Sequence, residues 1–152
     1  MTYLQPFRLA AYLLILFCIG HTAGGMLAQK SEGSEADAVF ASMKSVHFVF
    51  NGASCTWYDF WFGFGLMVSV FLLLCASMSW RLASVDPHTW PVAAPFAWLL
   101  AMTMIANAIL SARYFFAGPA TLSTLVALLI LWGIAAKKRR ASVGNSQPVI
   151  AG

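Results

Sequence analysis

A few polar side chains stand out in a sequence that is otherwise rich in apolar residues. They are His21, His47, Asp59, Asn107, Arg113 and Tyr114. The two imidazoles could act as general bases or metal ligands, because neutral histidine does both near neutral pH. The carboxylate could orient one imidazole or complete a two-histidine, one-carboxylate metal site. The amide, guanidinium and phenol could supply hydrogen bonds and charge to a bound ligand.

Composition places these side chains in a membrane protein. Of the 152 residues, 61% are hydrophobic and 9% are charged, whereas soluble globular domains average roughly half and a quarter. A helix needs about 20 consecutive apolar residues to cross a bilayer core about 30 Å thick. Four segments meet this requirement, at about 7–27, 57–82, 96–117 and 119–136. We therefore predict an all-α membrane protein, with one antiparallel bundle of four transmembrane helices over 1–140.

The positions of lysine and arginine predict the orientation, since short cytoplasmic loops carry the excess of basic residues. A basic run at 137–140 follows the fourth segment, and Arg8 and Arg81 fall on the same side. We therefore expect both termini to lie in the cytoplasm. The basic run is expected to contact anionic lipid and not nucleic acid, and 141–152 is predicted to be a disordered tail. In the alternative, the first segment is a cleaved signal peptide.

The first predicted outer loop contains a further helix signal. Ser34 and Asp37 are spaced as in an acidic variant of the capping box. Apolar residues recur at helical spacing after them, and His47 lies on the same stripe. A short amphipathic helix is therefore predicted at about 38–50, with a turn at Asn51-Gly52 leading into the second span.

The polar residues of all four segments fall in the outer half of the predicted bundle. Polar groups at that depth cost several kcal/mol when unpaired. Five of the six side chains are therefore expected to meet inside the bundle, and His47 is expected to cap them from above; the five are His21, Asp59, Asn107, Arg113 and Tyr114. The predicted result is an outward-facing polar and aromatic pocket for a small amphipathic or lipid-like molecule. Structural alternatives remain: His21 as a hydrogen bond between helices, Asp59 paired with Arg113, and His47 as a solvated interfacial residue.

Two motifs carry a resemblance to a known group of proteins. One is the stretch 20–25, Gly-His-Thr-Ala-Gly-Gly, and the other is Asp59 followed by Gly-Phe-Gly at 63–65. The chain thereby resembles small bacterial four-helix inner-membrane proteins with a GHTxGG-type first helix, for which no activity is known. The resemblance covers nearly the whole chain. It implies the topology above and a bacterial inner-membrane location, and it transfers no catalytic role.

Two other classes of function stay open. A membrane enzyme could use His21 or His47 as a general base, with Asp59 orienting it or sharing a metal. A structural accessory subunit could dock on a larger membrane complex through Gly20 and Gly24, because small residues let helices approach closely. No cofactor is predicted, although the same side chains are the candidate ligands for a divalent metal or, for the two histidines, a haem. The sequence does not determine the ligand, the presence of an activity or the oligomeric state.

Overall fold

The structure, a computed structural model, describes residues 5–28 and 30–144. It is 82% helical, which confirms the predicted all-α class. In chain order, the elements of the described residues are α1 (Pro6–Ile19), a π-helical segment (Gly20–Leu27), α2 (Ser34–Ser45), β1 (His47–Phe50), β2 (Ala53–Thr56), α3 (Trp57–Ala83), α4 (Trp90–Tyr114) and α5 (Ala117–Gly144).

Four helical stretches are long and apolar enough to cross a membrane, as predicted. They are Pro6–Leu27, Trp57–Ala83, Trp90–Tyr114 and Ala117–Ser142. Only 22% to 33% of the residues in their most apolar windows are buried by protein. Apolar surface on this scale is unusual on a protein dissolved in water, and lipid is the solvent that suits it.

Two helix ends differ from their predicted positions. α4 begins at Trp90 instead of near 96, because Pro91 lies in the first turn, where N–H groups are unpaired in any case. α5 continues to Gly144 instead of ending near 136, because lysine and arginine are good helix formers. The predicted disordered tail is therefore helical at 141–144, and 145–152 lie outside the described residues.

The chain divides into two compact units. The described residues of Met1–Phe17 and Leu73–Gly152 form the first, which we call the four-helix unit. Residues Cys18–Leu72 form the second, which we call the hairpin unit. The π segment, α2, both strands and the first part of α3 all belong to the hairpin unit.

Phe7 joins the helices of the four-helix unit. Its side chain is 2% exposed, and its ring lies 6.0 Å from that of Trp90 in α4. A Cβ added to Gly133 in α5 would be 2.7 Å from the same ring. The carbonyl of Phe7 accepts a 2.7 Å hydrogen bond from the buried hydroxyl of Ser79 in α3. One residue of α1 therefore contacts each of the other three helices, as in a four-helix bundle.

Lys137 closes the end of α3 within the same unit. Its ammonium group donates to the carbonyl of Ala83 at 3.2 Å and to that of Val85. The last carbonyls of a helix lack partners within the helix, and a cation near them suits the negative end of the helix dipole. This contact ties the connection between α3 and α4 to α5.

The hairpin unit contains a β-hairpin that was not predicted. β1 and β2 pair antiparallel, with His47 opposite Thr56. Asn51 and Gly52 have positive φ angles of 49° and 85°, as a two-residue turn of type I′ requires. The predicted turn is therefore confirmed, but it joins two strands. The helix predicted at 38–50 is wrong in its second half, since α2 ends at Ser45 and 47–50 form β1.

The capping box predicted at the start of α2 does not form. Ser34 is the first helical residue, and the N-cap is Gly33, which has no side chain to donate or accept. Asp37 accepts a 2.6 Å hydrogen bond from the hydroxyl of Ser31 instead.

Gly133→Ala should destabilise the protein. The new Cβ would lie 2.7 to 2.9 Å from three atoms of the buried Phe7 ring, and overpacking of this kind costs about 1–3 kcal/mol. The matched control is Gly63→Ala, because a Cβ there would meet nothing within 4 Å. Thermal unfolding of both variants in the same detergent measures the difference. Equal midpoints would show that Phe7 moves aside at little cost.

Candidate functional site: the hairpin unit

The first span changes from an α-helix to a π-helix at Gly20. In a π-helix each N–H bonds five residues back, and Ala28 N–H continues this pattern with a 2.9 Å bond to the carbonyl of Ala23. The change coincides with a glycine-rich stretch, and glycine weakens the preference for the α-helical conformation. Because π-helical turns occur frequently at functional sites, this segment is a candidate site.

Side chains in and just before the π segment form hydrogen bonds to α3. His21 Nε2 donates to the carbonyl of Gly65 at 2.9 Å, and the hydroxyls of Thr22 and Ser69 share a bond of 2.7 Å. The thiol of Cys18 donates to the carbonyl of Ser69 at 3.4 Å. We call these five residues the polar seam. Since Gly65 and Ser69 lie four residues apart on α3, the seam fixes the register between the two helices.

The seam restricts the chemistry that is available to His21. A carbonyl can only accept, so the proton lies on Nε2, and Nδ1 carries the lone pair when the ring is neutral. A Cβ on Gly25 would be 4.0 Å from that Nδ1. His21 therefore links two helices through Nε2.

Glycines in this region differ in what surrounds them. Met26, which is 5% exposed, packs so closely on Gly65 that a Cβ there would overlap with its side chain. A Cβ at Gly20 or Gly24 would have nothing within 4 Å. The small pair that was predicted to pack on another helix is therefore uncovered by the described residues.

Asp59 caps the N-terminus of α3. Its Oδ2 accepts from the N–H of Thr56 at 2.8 Å and from the hydroxyl of Thr56 at 2.7 Å. The N–H of Asp59 donates back to the hydroxyl oxygen of Thr56 at 3.1 Å. This reciprocal pattern is a capping box, with aspartate in place of the usual glutamate. Thr56 and Asp59 have the spacing of a capping box in the sequence. The capping box was predicted at Ser34 and Asp37, which have the same spacing.

His47 lies at the start of β1 and is exposed. Its Nδ1 donates to the carbonyl of Ser45 at 3.1 Å. Within the described residues, the hydrogen bonds of His21, His47 and Asp59 lead to other residues and not to one another. Over the same part of the chain, no three or more His, Cys, Asp or Glu side chains are grouped to hold a metal ion. The two-histidine, one-carboxylate set is thus not assembled.

The other three predicted site residues belong to the four-helix unit. Asn107 Nδ2 in α4 donates to the buried hydroxyl of Ser123 in α5 at 2.8 Å. The guanidinium of Arg113 lies 5.6 Å from the ring centre of its neighbour Tyr114, which is 71% exposed. Asn107 therefore joins two helices, whereas Arg113 and Tyr114 lie at the end of α4.

An open apolar groove lies where α2 meets the start of α3. Its volume is about 350 Å³, and it is lined by Ala38, Val39, Ser42, Met43, Val46 and Trp57. Three of these side chains are more than half exposed: Val39, Val46 and Trp57.

Aromatic contacts hold α2 against α3 beside the groove. The rings of Phe40 and Trp61 are 5.4 Å apart at a right-angled orientation. The ammonium of Lys44 lies 4.6 Å from the centre of the Tyr58 ring, in the range of a cation–π interaction. These contacts hold α2 in place while the groove stays open.

None of the residues lining the groove was predicted as a site residue. The signal for them was present, since Val39, Met43 and Val46 recur at intervals of four and three residues. That stripe was assigned to lipid or to packing on the bundle. Its position beside Trp57 depends on the hairpin, which reverses the chain between α2 and α3.

Thr22→Val and Ser69→Ala should each destabilise the protein, and their effects should not add. Hydrogen bonds between transmembrane helices contribute about 0.6 kcal/mol on average and at most about 1.7 kcal/mol, as measured by double-mutant cycles. We expect a coupling free energy in that range from unfolding in detergent. Pairing Thr22→Val with Ser77→Ala is the control, because the Ser77 hydroxyl bonds to its own helix at Leu73. Additive effects of Thr22 and Ser69 would contradict the seam.

Asp59→Ala should cost about 1 kcal/mol of stability, the usual loss for a helix N-cap interaction. Thr56→Ala should have a similar effect, because each change removes one half of the reciprocal pair together with the bond between the Thr56 hydroxyl and Asp59 Oδ2. Since the two changes share that bond, the double variant should lose less than the sum of the two single losses. Glu35→Ala, at an exposed carboxylate of α2, is the control and should be nearly neutral. Fully additive losses would show that the two side chains act separately.

Comparisons with known proteins add no function to this geometry. No protein-family model, curated protein or solved structure matches the chain. Its function therefore has to be inferred from its own residues.

Proposed function

We propose that this chain is an integral membrane protein that binds a small amphipathic or lipid-like molecule in the groove between α2 and Trp57. The observation that carries the proposal is the groove itself, with a volume of about 350 Å³. Binding sites for small molecules typically have volumes of about 300–1,000 Å³ and mostly apolar linings. The groove lies within this range of volumes and has a mostly apolar lining, and it is widely open.

The lining indicates the chemistry of the ligand. Five of its six side chains are apolar, and Ser42 supplies a hydroxyl. A molecule with a long apolar part can pack that part against the valines, Met43 and Trp57. A small polar group on the same molecule has Ser42 as its hydrogen-bonding partner.

The position of Trp57 supports a ligand that comes from the membrane. Trp57 is a wall of the groove and also the first residue of the spanning stretch Trp57–Ala83. Tryptophan is enriched at the membrane–water interface, which is where the polar heads and upper chains of lipids lie. We propose cytoplasmic termini on the basis of Arg8, Arg81 and the basic run at 137–140, and a bacterial inner-membrane location on the basis of the resemblance alone.

Ala38→Phe should abolish binding, because the added phenyl group occupies the groove that Ala38 lines. Ala41→Phe is the matched control, since Ala41 is an exposed residue of α2 that is not part of the lining. We expect native mass spectrometry of protein purified in mild detergent to show one retained lipid-like molecule in the wild type and in Ala41→Phe. Equal retention by Ala38→Phe would overturn the proposal.

A second role is favoured by a different observation. The backbone at Gly20 and Gly24 is uncovered within the described residues, and such small residues allow close packing of a helix from another chain. The protein would then be an accessory subunit of a larger membrane complex. Loss of a co-purifying protein in Gly24→Leu, with the content of bound lipid unchanged, would favour this role.

A further inference from the structure

The β-hairpin lies alongside the first turns of α3. The ring of Phe48 in β1 is 4.9 Å from that of Trp57 and 5.9 Å from that of Phe60. The ring of Phe50, next to the turn, is 5.6 Å from that of Phe60. β2 runs directly into Trp57. Both rings of β1 therefore pack on the start of α3.

The aromatic row continues from the hairpin into the spanning part of α3. Phe60 lies 6.2 Å from Phe64, and Phe64 is 60% exposed. α3 has 27 residues, which corresponds to a length of about 40 Å, against a bilayer core of about 30 Å. The helix is therefore longer than the core is thick. Its first turns contain Trp57, Tyr58 and Trp61, which belong to the residue types enriched at the membrane–water interface, and the hairpin packs on these turns at Phe60.

The chemistry of the hairpin suits that level of the membrane. No Asp, Glu, Lys or Arg occurs from Val46 to Tyr58. Val49 is 76% exposed and Phe50 is 53% exposed. The ladder between β1 and β2 pairs backbone groups that would otherwise be costly to remove from water. A hairpin of two strands is at best marginally stable in water by itself, so packing on α3 and contact with lipid both favour it.

We propose that the hairpin His47–Thr56 is a membrane-interface anchor, which inserts into the headgroup region with Val49 in contact with lipid. Lipid is the occupant because the aromatic row under the hairpin continues directly into the lipid-facing surface of α3. The anchor holds the loop between the first two spans against the membrane. It also keeps Trp57 at the depth where the upper parts of lipid chains lie. The anchor does not require the groove to be occupied.

A nitroxide spin label at Val49→Cys tests the proposal in the full-length protein. The protein is reconstituted in nanodiscs of phosphatidylcholine and phosphatidylglycerol, in a Cys55→Ser background. Cys18 and Cys75 are buried and stay in place, and the Cys55→Ser protein alone gives the background labelling. Collision rates of the label with oxygen, which concentrates in lipid, and with a water-soluble nickel chelate report its surroundings. Glu35→Cys, on the exposed acidic turn of α2, is the matched control.

We expect the ratio of oxygen to nickel collisions to be severalfold higher at position 49 than at position 35. Equal ratios would place the hairpin in water and overturn the proposal. Low collision rates with both reagents at position 49 would also overturn it, because they would show that protein covers this face. If Val49→Cys does not fold, Ser54→Cys replaces it, since Ser54 is directly opposite Val49 across the hairpin and the same result is expected.

Discussion

A bilayer interior contains no water to complete hydrogen bonds, so the polar groups of a spanning helix have to find partners within the protein. Among the described residues, every buried side-chain nitrogen and oxygen has a partner. The hydroxyls of Thr103 and Thr124 bond to carbonyls of their own helices. Those of Ser79 and Ser123, and the ring of His21, bond to other helices. The hydrogen bonds between helices decide which faces of the helices meet, because an apolar surface alone has little preference for one neighbour over another in lipid.

Steric fit completes what these hydrogen bonds begin. Phe7 occupies the space beside Gly133 in the four-helix unit, and Met26 occupies the space above Gly65 in the hairpin unit. In each case a large side chain lies against a glycine of another helix. Each contact also has a hydrogen bond nearby: the carbonyl of Phe7 accepts from Ser79, and the carbonyl of Gly65 accepts from His21. Small residues at helix contacts are common in membranes, because close packing replaces the hydrophobic driving force that is missing there. Gly20 and Gly24 are also small residues of a spanning helix, but among the described residues no side chain packs against them in this way.

The spans were predictable from the sequence, because the requirement for about 20 apolar residues depends on composition and length alone. The hairpin was not predicted, although Asn51-Gly52 was correctly assigned to a turn. The strand His47–Phe50 has the apolar spacing of a helix end, and its pairing partner Ala53–Thr56 has little apolar character. Asp59 and His21 were expected to have partners, and Arg113 was one partner considered for Asp59, but Thr56 and Gly65 were not predicted. Thr56 is local to Asp59, whereas Gly65 is 44 residues from His21 and becomes its neighbour only through the fold.

The π segment also affects the lipid around the protein. The first span has 22 residues, of which eight are π-helical, and a π-helix advances less per residue because each turn contains more of them. Its length is therefore below the roughly 33 Å of an α-helix with the same number of residues, whereas α3 reaches about 40 Å. Spans that are shorter or longer than the local hydrocarbon thickness cause thinning, thickening or tilt. The first span and α3 therefore present different lengths to the bilayer, and a difference of this kind is accommodated by tilt or by a local change in bilayer thickness.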